Sequence, residues 1–309
     1  MLRPALIWLS QQGWAERSAR AAGMERLLVR RFVAGDTRAD ALALARRVSE
    51  AGNGLPAVGA KFSFLGESVT DLADAERAVA EYCALVGAIS DAGDLDLRVG
   101  VKPTLLGLDI SHATAERGLL QIVDTAAEHG VWVEIDMEAS ETVDATLALY
   151  RAAASRSEQT VVALQSYLRR TPRDAQALID EGIARVRLVK GAYSESGQVA
   201  YGGGAATRRA YVELLEQLWR GGAAVTVATH DQALHEAARR LERELGPPAY
   251  WEFALLYGVR PQLGAAMRAR GERLRMSIPY GARWYRYLMR RIAERPENAL
   301  FALRALAGR

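Results

Sequence analysis

One rhythm constrains this chain more than any other feature. From residue 60 onward, short β-branched or alternating runs recur, each parted from the next by a long amphipathic helical stretch. The runs are Ala60–Phe64, Leu97–Lys102, Val131–Met137, Val161–Ser166, Val186–Lys190, Ala224–Thr229, Ala249–Leu255 and Leu274–Ile278. Segments between them, such as ATAERGLLQIVDTAAEHG and RRAYVELLEQLWRGG, carry apolar residues at helical spacing and end in glycine, the pattern of a surface helix with a glycine stop. Strands that alternate with helices are parallel, because parallel neighbours need a crossover connection. Eight such strands close a barrel. The pattern therefore predicts an α/β fold, a (βα)8 TIM-like barrel. The runner-up is an open doubly wound sheet, which carries a glycine-rich phosphate turn after its first strand. Here the first run is followed by LGESVTD, and YGGG at 201–204 reads as a flexible loop.

A barrel of roughly 250 residues fits within the 309 residues with an N-terminal extension to spare. Residues 1–55 read as helices that precede the barrel, for example ADALALARRVSEAG, and 56–309 as the catalytic barrel with its C-terminal helices. No Pro/Ser-rich linker interrupts the chain, so a single domain is expected. The final stretch, ARWYRYLMRRIAERPENALFALRALAG, reads as a helix, a Pro-Glu-Asn break and a second helix. The first of these is expected to cover the barrel mouth, with Gly281 as its hinge.

Several classes fall away. The N-terminus lacks the basic region and long apolar core of a signal peptide, and no run approaches the roughly 18 apolar residues of a membrane span. A net charge of +3 with no dominant basic block argues against nucleic acid. Cys83 is the one cysteine, so no intrachain disulfide can form, and a small buried residue in a helix is its plain reading. A cytoplasmic location is expected. Of the 40 basic residues only Lys61, Lys102 and Lys190 are lysines. Coding bias towards arginine is one cause. The other is that each surviving lysine marks a place where a compact ammonium fits and a planar guanidinium does not. All three fall on predicted strands, and Lys61, near the start of the first, is expected at the stability end of the barrel, away from chemistry.

Barrel enzymes carry their chemistry on the loops after the strands. The polar residues read at those ends are Glu67, Lys102, Asp136, Glu138, Gln165, Lys190, Thr229, His230, Glu252 and Tyr280. Singly, each has a plain reading as a solvated terminus or a helix cap, and His230 can precede a cap formed by Asp231. Jointly they favour a site. After the last strand, Arg286 and Arg290 stand four apart on one helical face and Arg291 adjoins Arg290. They form either a solvated edge or, with Lys102, a clamp for a small carboxylate. The four histidines show no metal-ligand spacing and no serine elbow appears. The chemistry therefore comes from a lysine Schiff base or an organic cofactor.

At these positions the chain resembles the proline dehydrogenases. The resemblance rests on FLGESV, VGVKPTLLG, VEIDMEAS, VVALQSYLRR, VRLVKGAY, VATHD, IPYG and YLMRRIAERPEN, in order from about residue 60 to 300. It looks like the short stand-alone bacterial form. The resemblance implies a distorted (βα)8 barrel with FAD at the strand ends. It also implies oxidation of L-proline to Δ1-pyrroline-5-carboxylate and transfer of the electrons to a membrane quinone, at the inner face of the membrane. A separate pyrroline-5-carboxylate dehydrogenase is the implied functional neighbour. By the same resemblance, Arg290, Arg291 and Lys102 grip the proline carboxylate, Tyr280 packs on the proline ring and Asp136 lies beside Lys102. Gln165, Arg187, Lys190, Gly191, Ala192, Thr229 and His230 are implied to line the flavin, and Glu67 to stand near the entrance. Two departures stand out: Ser194 replaces an aromatic residue found after GAY in the fused enzymes, and VKPT replaces a run of smaller residues. The rival readings are a Schiff-base aldolase using Lys190 and a non-catalytic interaction module using the arginine-rich C-terminal helices.

Overall fold

The computed structural model describes residues 13–21, 30–50, 57–93, 95–285 and 287–289. Among the described residues, α1 (Gly13–Ala21), a single helical turn at Arg30–Phe32 and α2 (Arg38–Ser49) come before the first strand. Strands and helices then alternate: β1 (Gly59–Phe64), α3 (Leu72–Ser90), β2 (Leu97–Val101), α4 (His112–Glu128), β3 (Trp132–Ile135), α5 (Val143–Arg156), β4 (Thr160–Gln165), α6 (Thr171–Asp180), β5 (Arg185–Val189), α7 (Gly204–Arg220), β6 (Ala224–Ala228), α8 (Gln232–Leu245), β7 (Trp251–Leu256), α9 (Pro261–Ala269) and β8 (Leu274–Tyr280). The strands are parallel and β8 pairs back onto β1, closing the barrel in sequence order. The fold read from the alternating runs is the fold observed.

Local chemistry explains the element boundaries. Thr37 and Asp40 form a reciprocal capping box at the start of α2, Asp71 caps α3 and Ser111 caps α4, each satisfying backbone N–H groups that a helix start leaves unpaired. The buried face of α4 is Ala115, Gly118, Leu119, Ile122, Val123 and Ala126, three and four residues apart. It packs on the outward side of the barrel wall, where Phe62, Val99, Ile135, Leu164 and Leu188 are fully or almost fully buried. The N-terminal segment is bound to the barrel rim. Ala34 N donates to Pro279 O at 2.9 Å and Gly281 N to Gly35 O at 2.8 Å. A second cluster of Ala15, Phe32, Val33 and Leu65 packs with Trp284, Tyr285, Leu288 and Met289. Among the described residues no helix is long and apolar enough to cross a membrane.

The barrel interior is unusual. Such interiors are ordinarily filled by branched aliphatic layers; here the inward parity of the strands presents charges. Arg275 Nε lies 2.8 Å from Glu252 Oε1, and Arg98 lies 3.4 Å from Glu252 and 3.3 Å from Glu134. Arg187 Nε approaches Glu134 at 3.1 Å, and Lys61 lies 3.8 Å from Glu134 and 3.2 Å from Asp136. Charges therefore link in one chain from Asp96, paired with Arg275 at the bottom at 2.6 Å, up to Asp136 at the mouth. Removing one partner of such a buried pair costs about 3–5 kcal/mol, so the lower part of this chain holds the barrel together.

Candidate active site

The mouth is formed by the turns that follow the strands, and one residue ties three of them together. Thr104, in the 3-10 turn Pro103–Leu106 after β2, donates its N–H to Glu138 Oε2 at 2.9 Å and its hydroxyl to Glu138 Oε1 at 2.8 Å. Its hydroxyl accepts from Ser68 N at 3.0 Å, and its carbonyl accepts from Val69 N at 3.0 Å. The turns after β1, β2 and β3 are thereby fixed relative to one another. This is the structural content of VKPT: proline opens a 3-10 turn and threonine joins it to its neighbours. Burial raises the Glu138 pKa, against the pull of its bonds to Thr104 and the charge of Lys102. Gln165 Nε2 donates to the Glu138 carbonyl at 2.7 Å, extending the tie to β4.

Within that frame Lys102, one residue past β2, donates to the Gly66 carbonyl at 3.0 Å. Asp136, one residue past β3, accepts from Lys61 and from Arg187, both at Oδ1. Its side chain keeps 18 % of its surface exposed, and neither of these bonds uses Oδ2. Burial alone would raise the Asp136 pKa, but Lys61, Arg187 and Lys102 together outweigh burial and hold the carboxyl below its usual range. Glu134 beneath it follows the same balance: burial raises it, and Lys61, Arg187, Arg98 and Arg275 bring it down. The expected neighbourhood of Lys102 and Asp136 is present as a charge relationship, while the direct contacts of Asp136 are to Lys61 and Arg187.

On the opposite rim Lys190, one residue past β5, lies 2.5 Å from Asp231, which Arg208 of α7 also meets at 2.7 Å. Burial opposes ionisation of Asp231, but its bonds to Lys190 and Arg208 prevail and bring its pKa down to about 2. Asp231 also caps α8 by accepting from Ala233 N. Thr229 accepts from Asp231 N at 3.2 Å through its hydroxyl. The His230 ring accepts from Leu256 N through Nε2 at 2.9 Å, which fixes the proton of the neutral ring on Nδ1. Gly191, at φ +109°, follows Lys190, and a Cβ there would fall 2.1 Å from the Tyr167 ring, so only glycine fits. Ala192 and Ser194 continue this loop, Ser194 being exposed. Glu195 then accepts from Ser140 N at 2.8 Å and from its hydroxyl at 2.6 Å, binding the loop after β5 to the turn after β3.

Three expectations change. Lys61 does not lie at the stability end: it is the third residue of β1, faces inward and is 3 % exposed. Glu252 is the second residue of β7 and not its end, and its carboxylate belongs to the lower charge chain, where Thr226 also meets it at 2.9 Å. Tyr280 is fully buried and does not line the mouth. In β8, Arg275 faces the interior, so parity turns Ser277 inward and Tyr280 outward. Tyr280 donates to Glu81 of α3 at 2.9 Å and packs on Phe64 with ring centroids 5.3 Å apart. Glu67 lies half-buried in the turn after β1. Arg286, Arg290 and Arg291 are outside the described residues, and so is the part of the expected helix that follows Met289. Among the described residues no group of three or more His, Cys, Asp or Glu could hold a metal ion.

Sequence reasoning missed the role of Lys61 at the mouth, Thr104, the pairing of Asp231 with Lys190 and Arg208, and the Glu195–Ser140 tie, while the cap expected of Asp231 is present. The signal for Lys61 was available. In LRVGVK and WVEID the charges fall four and two residues apart, all on the inward parity, and Lys61 shares that parity on its own strand.

The proline dehydrogenase family profile matches residues 53–303. The chain belongs to the proline dehydrogenase family. That membership makes it an oxidoreductase of the proline dehydrogenase type. It is 36 % identical to proline dehydrogenase 1 of Bacillus subtilis subsp. natto, over 99 % of each chain. It is 31 % identical to a proline dehydrogenase of Deinococcus radiodurans, over 99 % of this chain and 98 % of the other. Among solved structures, proline utilization A from Bdellovibrio bacteriovorus, inactivated by N-propargylglycine, superposes with a TM-score of 0.78 at 23 % identity over 86 % of this chain. A Bradyrhizobium japonicum proline utilization A gives 0.73 at 22 % over 90 %. At that identity these two establish the proline dehydrogenase barrel as a fold, and the chain spans about a third (32 %) of their length.

Proposed function

We propose that this protein oxidises L-proline to Δ1-pyrroline-5-carboxylate with FAD as cofactor and passes the electrons to a membrane quinone. The observation that carries this reading is the convergence of Lys102, Asp136 and Arg187, from β2, β3 and β5, on one barrel mouth in a chain of this family. The opposite rim fits the cofactor. Lys190 and Arg208 place two cations on one carboxylate, leaving local positive charge for a pyrophosphate, and Gly191 lets backbone approach closely where a side chain has no room. Gln165, Arg187, Lys190, Gly191, Ala192, Thr229 and His230 would hold the group there, and when bound it supplies the hydride acceptor.

The remaining work falls to the protein. Lys102, with Arg290 and Arg291 by the family resemblance, grips the substrate carboxylate and fixes the ring in one orientation, which brings the reacting carbon within reach. The cations round the mouth favour a neutral ring amine beside an ionised carboxylate, the form of proline that can release hydride. Asp136 presents Oδ2 to the amine side. Lys190 is engaged by Asp231 and 35 % exposed, unlike the apolar pocket that a Schiff-base lysine needs.

Purified protein is expected to carry flavin absorbance, to reduce a quinone analogue on addition of L-proline, and to lose that activity on incubation with N-propargylglycine. Colourless protein that gains no activity after reconstitution with FAD would overturn the reading.

A further inference from the structure

The route by which Lys61 reaches Asp136 implies a role for it. Lys61 lies on β1 and Asp136 follows β3, so β2 stands between them. The side chain crosses β2 over Gly100: a Cβ on that glycine would stand 3.0 Å from both Cε and Nζ of Lys61. Gly100 has no positive φ, so its backbone does not call for glycine, and glycine inside a strand weakens it. What it supplies is space. The notch is lined up with the lysine by register, since Lys61 pairs with Arg98 and Ser63 with Gly100.

We propose that Lys61 is a positioning residue of the active site. Through the notch at Gly100 it holds Asp136 by Oδ1, jointly with Arg187, and so keeps Oδ2 turned to the bound substrate. This rests on the reading that the mouth takes L-proline. Arg187 alone does not replace it. That guanidinium is shared, with Nε toward Glu134 and one terminal nitrogen on Asp136. Without Lys61 the one cation bonded to Asp136 is Arg187, which it shares with Glu134, and Asp136 is held from one side only.

The groups facing Asp136 are the cations Lys61, Arg187 and Lys102, the carboxylates Glu134 and Glu138, and the Tyr82 phenol of α3. Lys61 is the foremost of the cations that draw the Asp136 pKa down against burial. Its removal therefore moves that pKa up. An activity that needs the carboxylate ionised then loses its acid side at higher pH, by about one unit or more for a cation this close.

The test uses the flavin-loaded protein as wild type, Lys61→Met and Gly100→Ala. Three quantities are read: the pH profile of kcat/KM for L-proline, flavin absorbance, and the Asp136 carboxyl pKa by carbon-13 NMR, assigned with Asp136→Asn. Both variants are expected to keep their flavin and to lose about tenfold in kcat/KM at neutral pH, the scale of one hydrogen bond to a charged group. The acid limb and the Asp136 pKa should both rise. Gly100→Ala matters because it removes no titratable group and displaces the ammonium, its new Cβ also meeting the Phe62 carbonyl at 3.1 Å; it also carries the test if Lys61→Met does not fold. A wild-type profile in a folded variant, with an unmoved Asp136 pKa, overturns the proposal. Wild-type protein inactive on L-proline defeats the functional reading alone. The Asp136 pKa in the variants then decides the positioning role by itself: a rise supports it and an unmoved value overturns it.

Discussion

The phenol of Tyr280 is bonded to Glu81, 199 positions earlier in the chain, at 2.9 Å, across the outer face of the barrel. Burial, first, and then the charge of Glu81 push the pKa of this phenol far above its ordinary value. Glu81 also pairs with Arg38 of α2, so Tyr280 belongs to a contact that ties β8, α3 and the N-terminal helix together. Tyr280→Phe is expected to lower unfolding free energy by about 1–2 kcal/mol, the scale of a part-buried hydrogen bond to a charged group that keeps its other partner, Arg38. KM for L-proline should not move. Urea denaturation beside steady-state kinetics checks both, and a raised KM with unchanged stability would return Tyr280 to the mouth.

For Lys102 the expectation is the reverse. Its ammonium makes one short bond, to the Gly66 carbonyl, in a rim already fixed by Thr104 and Glu138. Lys102→Met should leave the fold intact and raise KM by the loss of a charge-assisted contact, about 2–5 kcal/mol where the pair is desolvated. Lys102→Arg should be nearly as damaging, because the larger planar fork cannot keep the single-point bond to Gly66 and also share the substrate carboxylate. Full activity of Lys102→Arg would reduce the scarcity of lysine in this chain to coding bias.

The loop after β5 offers a separate test. Two bonds from Ser140 to the Glu195 carboxylate hold it against the turn after β3. Among the described residues, neither bonds to Lys102 or Asp136. Glu195→Ala should therefore weaken FAD binding, by roughly 1–2 kcal/mol for two part-buried hydrogen bonds to a charged group shared with solvent, and leave KM for L-proline nearly unchanged once flavin is saturating. Flavin titration followed by fluorescence gives the first quantity. Wild-type affinity would mean that Gly191 and its neighbours are held by the barrel alone.

The barrel was legible because its signal is periodic and repeated: helices such as α4 show a complete apolar stripe, and each strand run sits between them. The start of β7 lies two residues beyond the start of its run, because Ala249 and Tyr250 extend the apolar run backward and nothing local marks where pairing with β6 begins. Tyr280 was assigned to the mouth from its place at the end of β8. Strand parity, anchored by the inward charge of Arg275, sends it the other way and leaves Ser277 inside. Lys61 was judged by its distance along the strand when its reach across Gly100 was what mattered. Contacts such as Glu195 with Ser140 have no sequence signature, since they join two loops 55 positions apart.

Acid pH should expose the Asp231 cluster. The Asp231 pKa falls from 3.8 to about 2 in the folded protein. A carboxyl whose folded pKa is depressed contributes stability that is complete above its unfolded pKa and is lost as pH falls through the folded value. The contribution of Asp231 is therefore whole at pH 5 and fades between about pH 4 and pH 2, where Lys190 and Arg208 lose their shared partner. Asp231→Asn removes the charge at every pH. Its destabilisation relative to wild type should be largest near neutrality and shrink towards pH 2, and flavin binding should weaken with it because Lys190 is no longer held in place. Denaturant titrations of both proteins across that range measure the difference directly. A gap that stays constant down to pH 2 would show that Asp231 acts as a helix cap for α8 and not through its charge.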